Sequence, residues 1–116
     1  MSTDNVLFLM PLITGPVFFI AGFLLRRYPP RHINWLLGYR THRAMRSQAH
    51  WDFAQRYAGR ELMIWGAVYM ATSLLGAFFF PHEGAGVLIS ILLLLIFSII
   101  PIVRTESRLK QEFDEI

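Results

Sequence analysis

The chain has 116 residues, 54% of them hydrophobic and 16% charged, with a formal net charge of +3. A water-soluble domain of ordinary composition is excluded at the outset, because one small core could not hide several long apolar runs. Cysteine is absent, which excludes disulfides, thiolate metal sites, CxxC redox motifs and cysteine nucleophiles together.

Residues 6–25 carry no charge. A helix of that length extends about 30 Å, the thickness of a bilayer's hydrocarbon core, so this run predicts a first spanning helix. A cleavable signal peptide fits less well: Asp4 precedes the run, no Lys or Arg does, and the apolar stretch is longer than a usual signal core. Pro11 and Gly15-Pro16 lie inside it and predict a kink near Gly15, with the freed backbone groups satisfied by neighbouring helices.

Residues 26–61 hold eight arginines (Arg26, Arg27, Arg31, Arg40, Arg43, Arg46, Arg56, Arg60) against Asp52 and Glu61. Positive residues resist translocation, so this loop is expected in the cytoplasm and the amino terminus outside. Tyr28-Pro29-Pro30 stops the first helix. Beyond it Trp35, Leu36, Leu37 and Tyr39 mix with arginines in the manner of an interfacial segment lying on the inner leaflet. Arg26, Arg27, Arg31, Arg43 and Arg46 are expected at the lipid headgroups, a cheaper use of basic charge beside a membrane than nucleic-acid binding. Gly38, set between bulky residues, suggests a turn needing positive φ or close backbone approach, with Asn34 and Thr41 offering side-chain bonds to its amides. Residues 34–41 thus read as a folded knuckle in which Arg40 latches backbone carbonyls or a carboxylate such as Asp52, or else binds a ligand.

Ser47 is a helix cap, and Trp51, Ala54, Ala58, Leu62 and Trp65 follow at helical spacing, so a second helix runs on into the next span with Gly59 as its pivot. Asp52 precedes Arg56 by four residues, a favourable acid-to-base order on a helix. Uncharged runs at 62–80 and 84–103 predict the second and third spans, the third ended by Pro101 and then Arg104. The breaker-rich stretch 81–86 joins them as an antiparallel hairpin. Residues 104–116 then form a cytoplasmic tail carrying Arg104, Arg108 and Lys110. The span interiors contain no Asp, Glu, Lys, Arg or His, which argues against a self-sufficient ion-coupled transporter. Small pairs at Ala67/Ala71 and Thr72/Gly76 predict close helix packing within the bundle or a homo-oligomer face. The fold expected is an all-α integral membrane protein, one membrane domain with three transmembrane helices and an arginine-rich interfacial segment between the first and second.

Pro30, Asn34, Gly38-Tyr39-Arg40-Thr41, Ser47, Trp51, Ala54 and Gly59, in this order and spacing, resemble the signature of the SdpI family of bacterial membrane proteins. That family is named for an immunity protein against a secreted killing factor, and its three-helix unit is similar to most of this chain as a single module. The resemblance implies an inner-membrane protein of a bacterium or archaeon and brings no catalytic residues with it.

No metal site is expected, because His42 and His50 lie eight apart without HxxxH or HExxH spacing and their imidazoles read as surface groups. His82-Glu83 is only a short pair on the outer turn. A non-enzymatic binding protein without cofactor is therefore expected. It would neutralise a membrane-active peptide toxin or recruit a cytoplasmic regulator to its arginine loop, with Asn34, Gly38, Tyr39, Arg40, Thr41, Ser47, Trp51 and Gly59 as either partner-binding residues or a structural latch. The alternative is an accessory subunit of a larger membrane complex, a transporter or a respiratory assembly.

Overall fold

A computed structural model describes residues 6–34, 38–78 and 83–113. It contains four helices in those residues: α1 (Val6–Arg27), α2 (Gln48–Ala71), α3 (Ser73–Phe78) and α4 (Glu83–Glu112). Leu7–Arg27, Gln48–Phe78 and Gly84–Glu112 are each long and apolar enough to cross a membrane. α2 and α3 make one crossing. Thr72 divides them; its amide bonds the carbonyls of Val68 and Tyr69, and its hydroxyl donates to Tyr69 O at 2.6 Å.

Two apolar runs are shorter than the helices that contain them. α2 starts at Gln48, where Ser47 caps it by accepting from the His50 amide at 3.1 Å. α4 does not end at Pro101 as the sequence suggested but continues through it to Glu112. Proline removes one donor and the turns on either side keep theirs, while packing against the knuckle and α2 holds the helix in place. The thirty residues of α4 extend about 45 Å, so its last turns project beyond a hydrocarbon core of about 30 Å. Glu83–Gly86, expected in the turn, are the first turn of α4. The rest of that turn lies outside the described residues, as do Trp35, Leu36 and Leu37 of the interfacial reading.

Glycines hold α1 against α2. A Cβ on Gly22 would stand 2.6 Å from the Gly59 carbonyl oxygen, and one on Gly59 would stand 2.7 Å from the Arg26 amide nitrogen. The same close approach recurs at Gly15, whose Cβ would meet Gly66 O at 2.9 Å. Gly15 and Gly22, like Gly59 and Gly66, are seven apart, which keeps each pair on one face of its helix. Lipid provides no hydrophobic drive for helix association, so backbone contact of this kind is what makes two apolar helices adhere. Of the small pairs, Gly76 packs closely on the backbone of Leu7 and Phe8 in α1, whereas Ala67 and Ala71 are exposed and take no part in packing within the bundle. Gly59 is accordingly a contact and not a pivot, since α2 passes through it unbroken.

Aromatic rings fill the centre of the bundle. The buried Tyr69 of α2 stacks between Phe18 of α1 at 5.9 Å and Phe97 of α4 at 5.2 Å. Ser90 and Ser98 donate to Gly86 O and Leu94 O on their own helix, so these hydroxyls need no partner across the bundle. A second, smaller core lies beyond the membrane, where Ala44, Ala54 and Leu109 are fully buried and Tyr39, Phe53 and Phe113 pack around them. His50, half-buried, stacks on Phe113 at 3.9 Å.

Candidate functional site: a pinned knuckle above a membrane groove

One face of α2 fastens the knuckle and the residues just before it. Trp51 and Gln55, four apart and fully buried, point the same way. Trp51 Nε1 donates to Pro30 O at 2.7 Å. The Gln55 amide grips Tyr39 twice: Oε1 accepts from Tyr39 N, and Nε2 donates to Tyr39 O, both at 2.7 Å. One side chain thereby satisfies both backbone groups of a residue in no regular element, which a loop packed on a core requires. Gln48 adds a third tie, from Nε2 to Arg31 O at 2.6 Å.

Gly38 is what allows Gln55 to sit so close. Its φ is 95°, in the left-handed region, and a Cβ there would come within 2.5 Å of Gln55 Oε1 and 2.9 Å of Pro30 Cγ. The Tyr39 amide of the knuckle is thus held by Gln55. Asn34 Nδ2 donates to His32 O at 2.8 Å, and Thr41 Oγ1 accepts from Ala44 N at 3.2 Å, closing the turn that follows.

Across the knuckle stands Glu106 of α4. Its Oε2 accepts from the Tyr39 hydroxyl and from Thr41 Oγ1, both at 2.9 Å, and its Oε1 lies 3.8 Å from Arg43 Nε. Burial, reinforced by the carboxylate beside it, pushes the Tyr39 hydroxyl far above the usual tyrosine range and keeps it a donor. Glu106 is the carboxylate that receives Tyr39 and Thr41, while Asp52 Oδ1 accepts from Gln48 at 2.8 Å. Arg40 is exposed, as are Arg26, Arg27, Arg31 and Arg46 of the residues expected at headgroups. Arg43 differs: its side chain is 16% exposed and faces Glu106.

A second polar tie was hidden in the sequence by its position. Glu61 is 1% exposed, and its Oε2 accepts from Trp65 Nε1 at 2.8 Å and from Arg104 Nε at 2.9 Å. Glu61 directly precedes the second apolar run and Arg104 directly follows the third, so an antiparallel hairpin brings them level. Read one at a time, Glu61 is the last charge of the basic segment and Arg104 the first of the tail.

Beneath the knuckle, α1 packs mainly on α2 and more sparingly on α4, which leaves a groove of about 470 Å³. Ala21 and Leu25 of α1, Ala58 and Leu62 of α2, and Pro101 and Ile102 of α4 line it, with Gly38 and Tyr39 at its end. Ala21 and Ile102 are exposed at its mouth. Of the residues singled out from the sequence, Gly38 and Tyr39 meet this groove, while Trp51 and Thr41 act on the knuckle from elsewhere. Ser47 caps α2, and Gly59 is spent on the contact with α1. Gln55, Glu61, Arg104 and Glu106 were missed. No group of three or more potential metal ligands occurs among the described residues.

The SdpI/YfhL protein family matches residues 31–105, from the knuckle to the end of the third apolar run. The chain belongs to this family. It is also similar to the protein YfhL of Bacillus subtilis (strain 168), described as uncharacterized: 37% identical over 100 residues, which cover 85% of this chain and 84% of that protein. No solved structure matches. Family membership and three apolar crossings together make this a multi-pass membrane protein. The family match takes in the whole pinned knuckle with Gln55, the Glu61–Arg104 pair and most of the groove, but not Glu106.

Proposed function

We propose that this protein is a non-enzymatic binding protein of the bacterial inner membrane that captures a membrane-active peptide. Apolar side chains of the peptide enter the groove between α1 and α4 while the knuckle closes the groove's inner end. The arginine-rich segment and the carboxyl end lie in the cytoplasm and the amino terminus outside, as the distribution of positive charge favours.

The observation that carries this reading is the groove of about 470 Å³ with Gly38 and Tyr39 at its end. Ligand sites run from roughly 300 to 1,000 Å³, so the space is too small for a whole helix and suits a few large side chains of a helix lying alongside. Tyr39 is also the residue gripped by Gln55 and Glu106, so an occupant pressing on it would bear on both of those ties. Immunity to a secreted peptide, implied by the SdpI resemblance, is one use of such capture.

The test is a challenge of intact cells with secreted peptides of competing bacteria. Cells lacking the protein are expected to lose protection, and Ala21→Trp, which fills the mouth of the groove, to fail to restore it. Ala67→Trp, exposed elsewhere in the apolar surface, is expected to restore it. Unchanged sensitivity in cells lacking the protein refutes the immunity reading.

A further inference from the structure

The arginines of α2 have a different occupation from the one their spacing suggests. Arg56 and Arg60 turn toward Arg26 at the end of α1, and the three line a single cleft of about 350 Å³ walled by Phe53 and Tyr57. The glycine contact creates this convergence: a Cβ on Gly59 would lie 3.0 Å from the Arg26 Cβ, so Arg26 stands directly over the α2 residue that precedes Arg60. Arg60 also lies over the Tyr57 ring, at 6.0 Å from its centroid. Among the described residues, none of the three guanidinium groups has a carboxylate within ion-pair distance. By contrast, Arg104 is committed to Glu61, Arg43 faces Glu106, and Arg108 donates to Gln111.

Three like charges gathered around one cleft repel each other unless an anion joins them. Guanidinium forks match phosphate oxygens, and basic clefts between membrane helices take lipid headgroups. The surface below the cleft narrows the choice of anion. Phe23 and Phe19 follow Arg26 at helical spacing toward the membrane centre, 46% and 41% exposed, and Ile64 follows Arg60, 41% exposed. A free phosphate would leave this apolar strip unused, and so would an acidic protein segment. A phospholipid uses both parts.

We propose that Arg26, Arg56 and Arg60 bind the phosphate of an anionic phospholipid in the leaflet nearest the arginine-rich segment, with its acyl chains along Phe19, Phe23 and Ile64. The site is separate from the peptide groove: residues two apart on a helix project to nearly opposite sides, so Arg56 and Arg60 point away from Ala58, which lines the groove. A lipid bound there ties the end of α1 to α2 across the glycine contact.

The protein, purified in mild detergent, is offered equal amounts of phosphatidylglycerol and phosphatidylcholine, and the retained lipid is counted by native mass spectrometry. Wild type is expected to favour phosphatidylglycerol by on the order of 100-fold, the summed effect of three basic residues near a lipid surface. The combined Arg26→Gln, Arg56→Gln, Arg60→Gln variant is expected to show no preference, and Arg108→Gln to keep the wild-type ratio. Equal retention of the two lipids by wild type overturns the proposal whatever the fate of the variant. So does a triple variant of wild-type helix content that still prefers phosphatidylglycerol. Displacement of the lipid by millimolar inorganic phosphate assigns the cleft to a free anion and overturns the lipid as occupant.

Discussion

Between Gly59 and Gly76, α2 and its continuation meet α1 where side chains are missing, whereas between Ser47 and Glu61 α2 holds its neighbours with the side chains of Trp51, Gln55 and Glu61. The solvent accounts for the difference. In hydrocarbon the backbone is already satisfied within each helix, and association rests on how closely two surfaces approach. At the membrane's edge the chain between α1 and α2 runs irregularly, so its carbonyls and amides need partners, and side chains from a rigid helix provide them. One helix therefore carries two kinds of adhesive, and each should fail in its own way.

Gly59→Leu should give the largest effect, loss of folded protein from the membrane, because the side chain would have to enter the Arg26 and Gly22 backbone, which cannot move aside. Gly59→Ala gains helix propensity, yet its Cβ still meets that backbone, and the overpacking should win by about 1–3 kcal/mol in thermal unfolding in detergent. At the border between the two regions, Arg104→Ala should lower the melting temperature more than Glu61→Gln. The first leaves a buried carboxylate without its cation, whereas the second leaves a half-exposed arginine that water can solvate. Equal losses would show that Glu61 is not held as an anion.

In the polar region, Gln55→Ala strands both backbone groups of Tyr39 and should cost about 1–3 kcal/mol, with faster protease cleavage at Arg40 as the local readout. Gln55→Glu keeps the acceptor and loses the donor, so its cleavage rate should fall between. The smallest effect is one of pH. The Tyr39 hydroxyl titrates higher in the folded chain than its ordinary value of 10.0, so the folded state holds the proton longer. Its contribution is complete below pH 10 and is lost as pH rises beyond, toward the folded value. Tyr39→Phe should cost about 1 kcal/mol at neutral pH and flatten the alkaline decline of stability. A decline as steep in the variant would exclude Tyr39 as its source.

Much of the knuckle was legible because its residue types are unusual for their setting. A glycine between bulky side chains pointed to the left-handed turn at Gly38, and a serine before a helical pattern pointed to the cap at Ser47. What could not be read was the partner. Tyr39 meets Glu106 across more than sixty residues, and a carboxylate in an apparent tail gives no sign of being an anchor until α4 is known to continue past Pro101. The heptad spacing of Gly15 with Gly22 and of Gly59 with Gly66 was visible throughout. Its meaning depended on antiparallel register, which sets Gly15 beside Gly66 and Gly22 beside Gly59.

Three crossings, the helix from Ser47 into the second span and the basic segment between spans were fixed by local chemistry, since hydrophobic length and helix capping act within a few turns of chain. Which arginine pairs, which is buried and which faces an anion was decided only when the helices came together. A guanidinium group on a long side chain reaches whatever its neighbours place beside it, and the neighbours of Arg26, Arg43 and Arg104 come from other helices or from the far end of the chain.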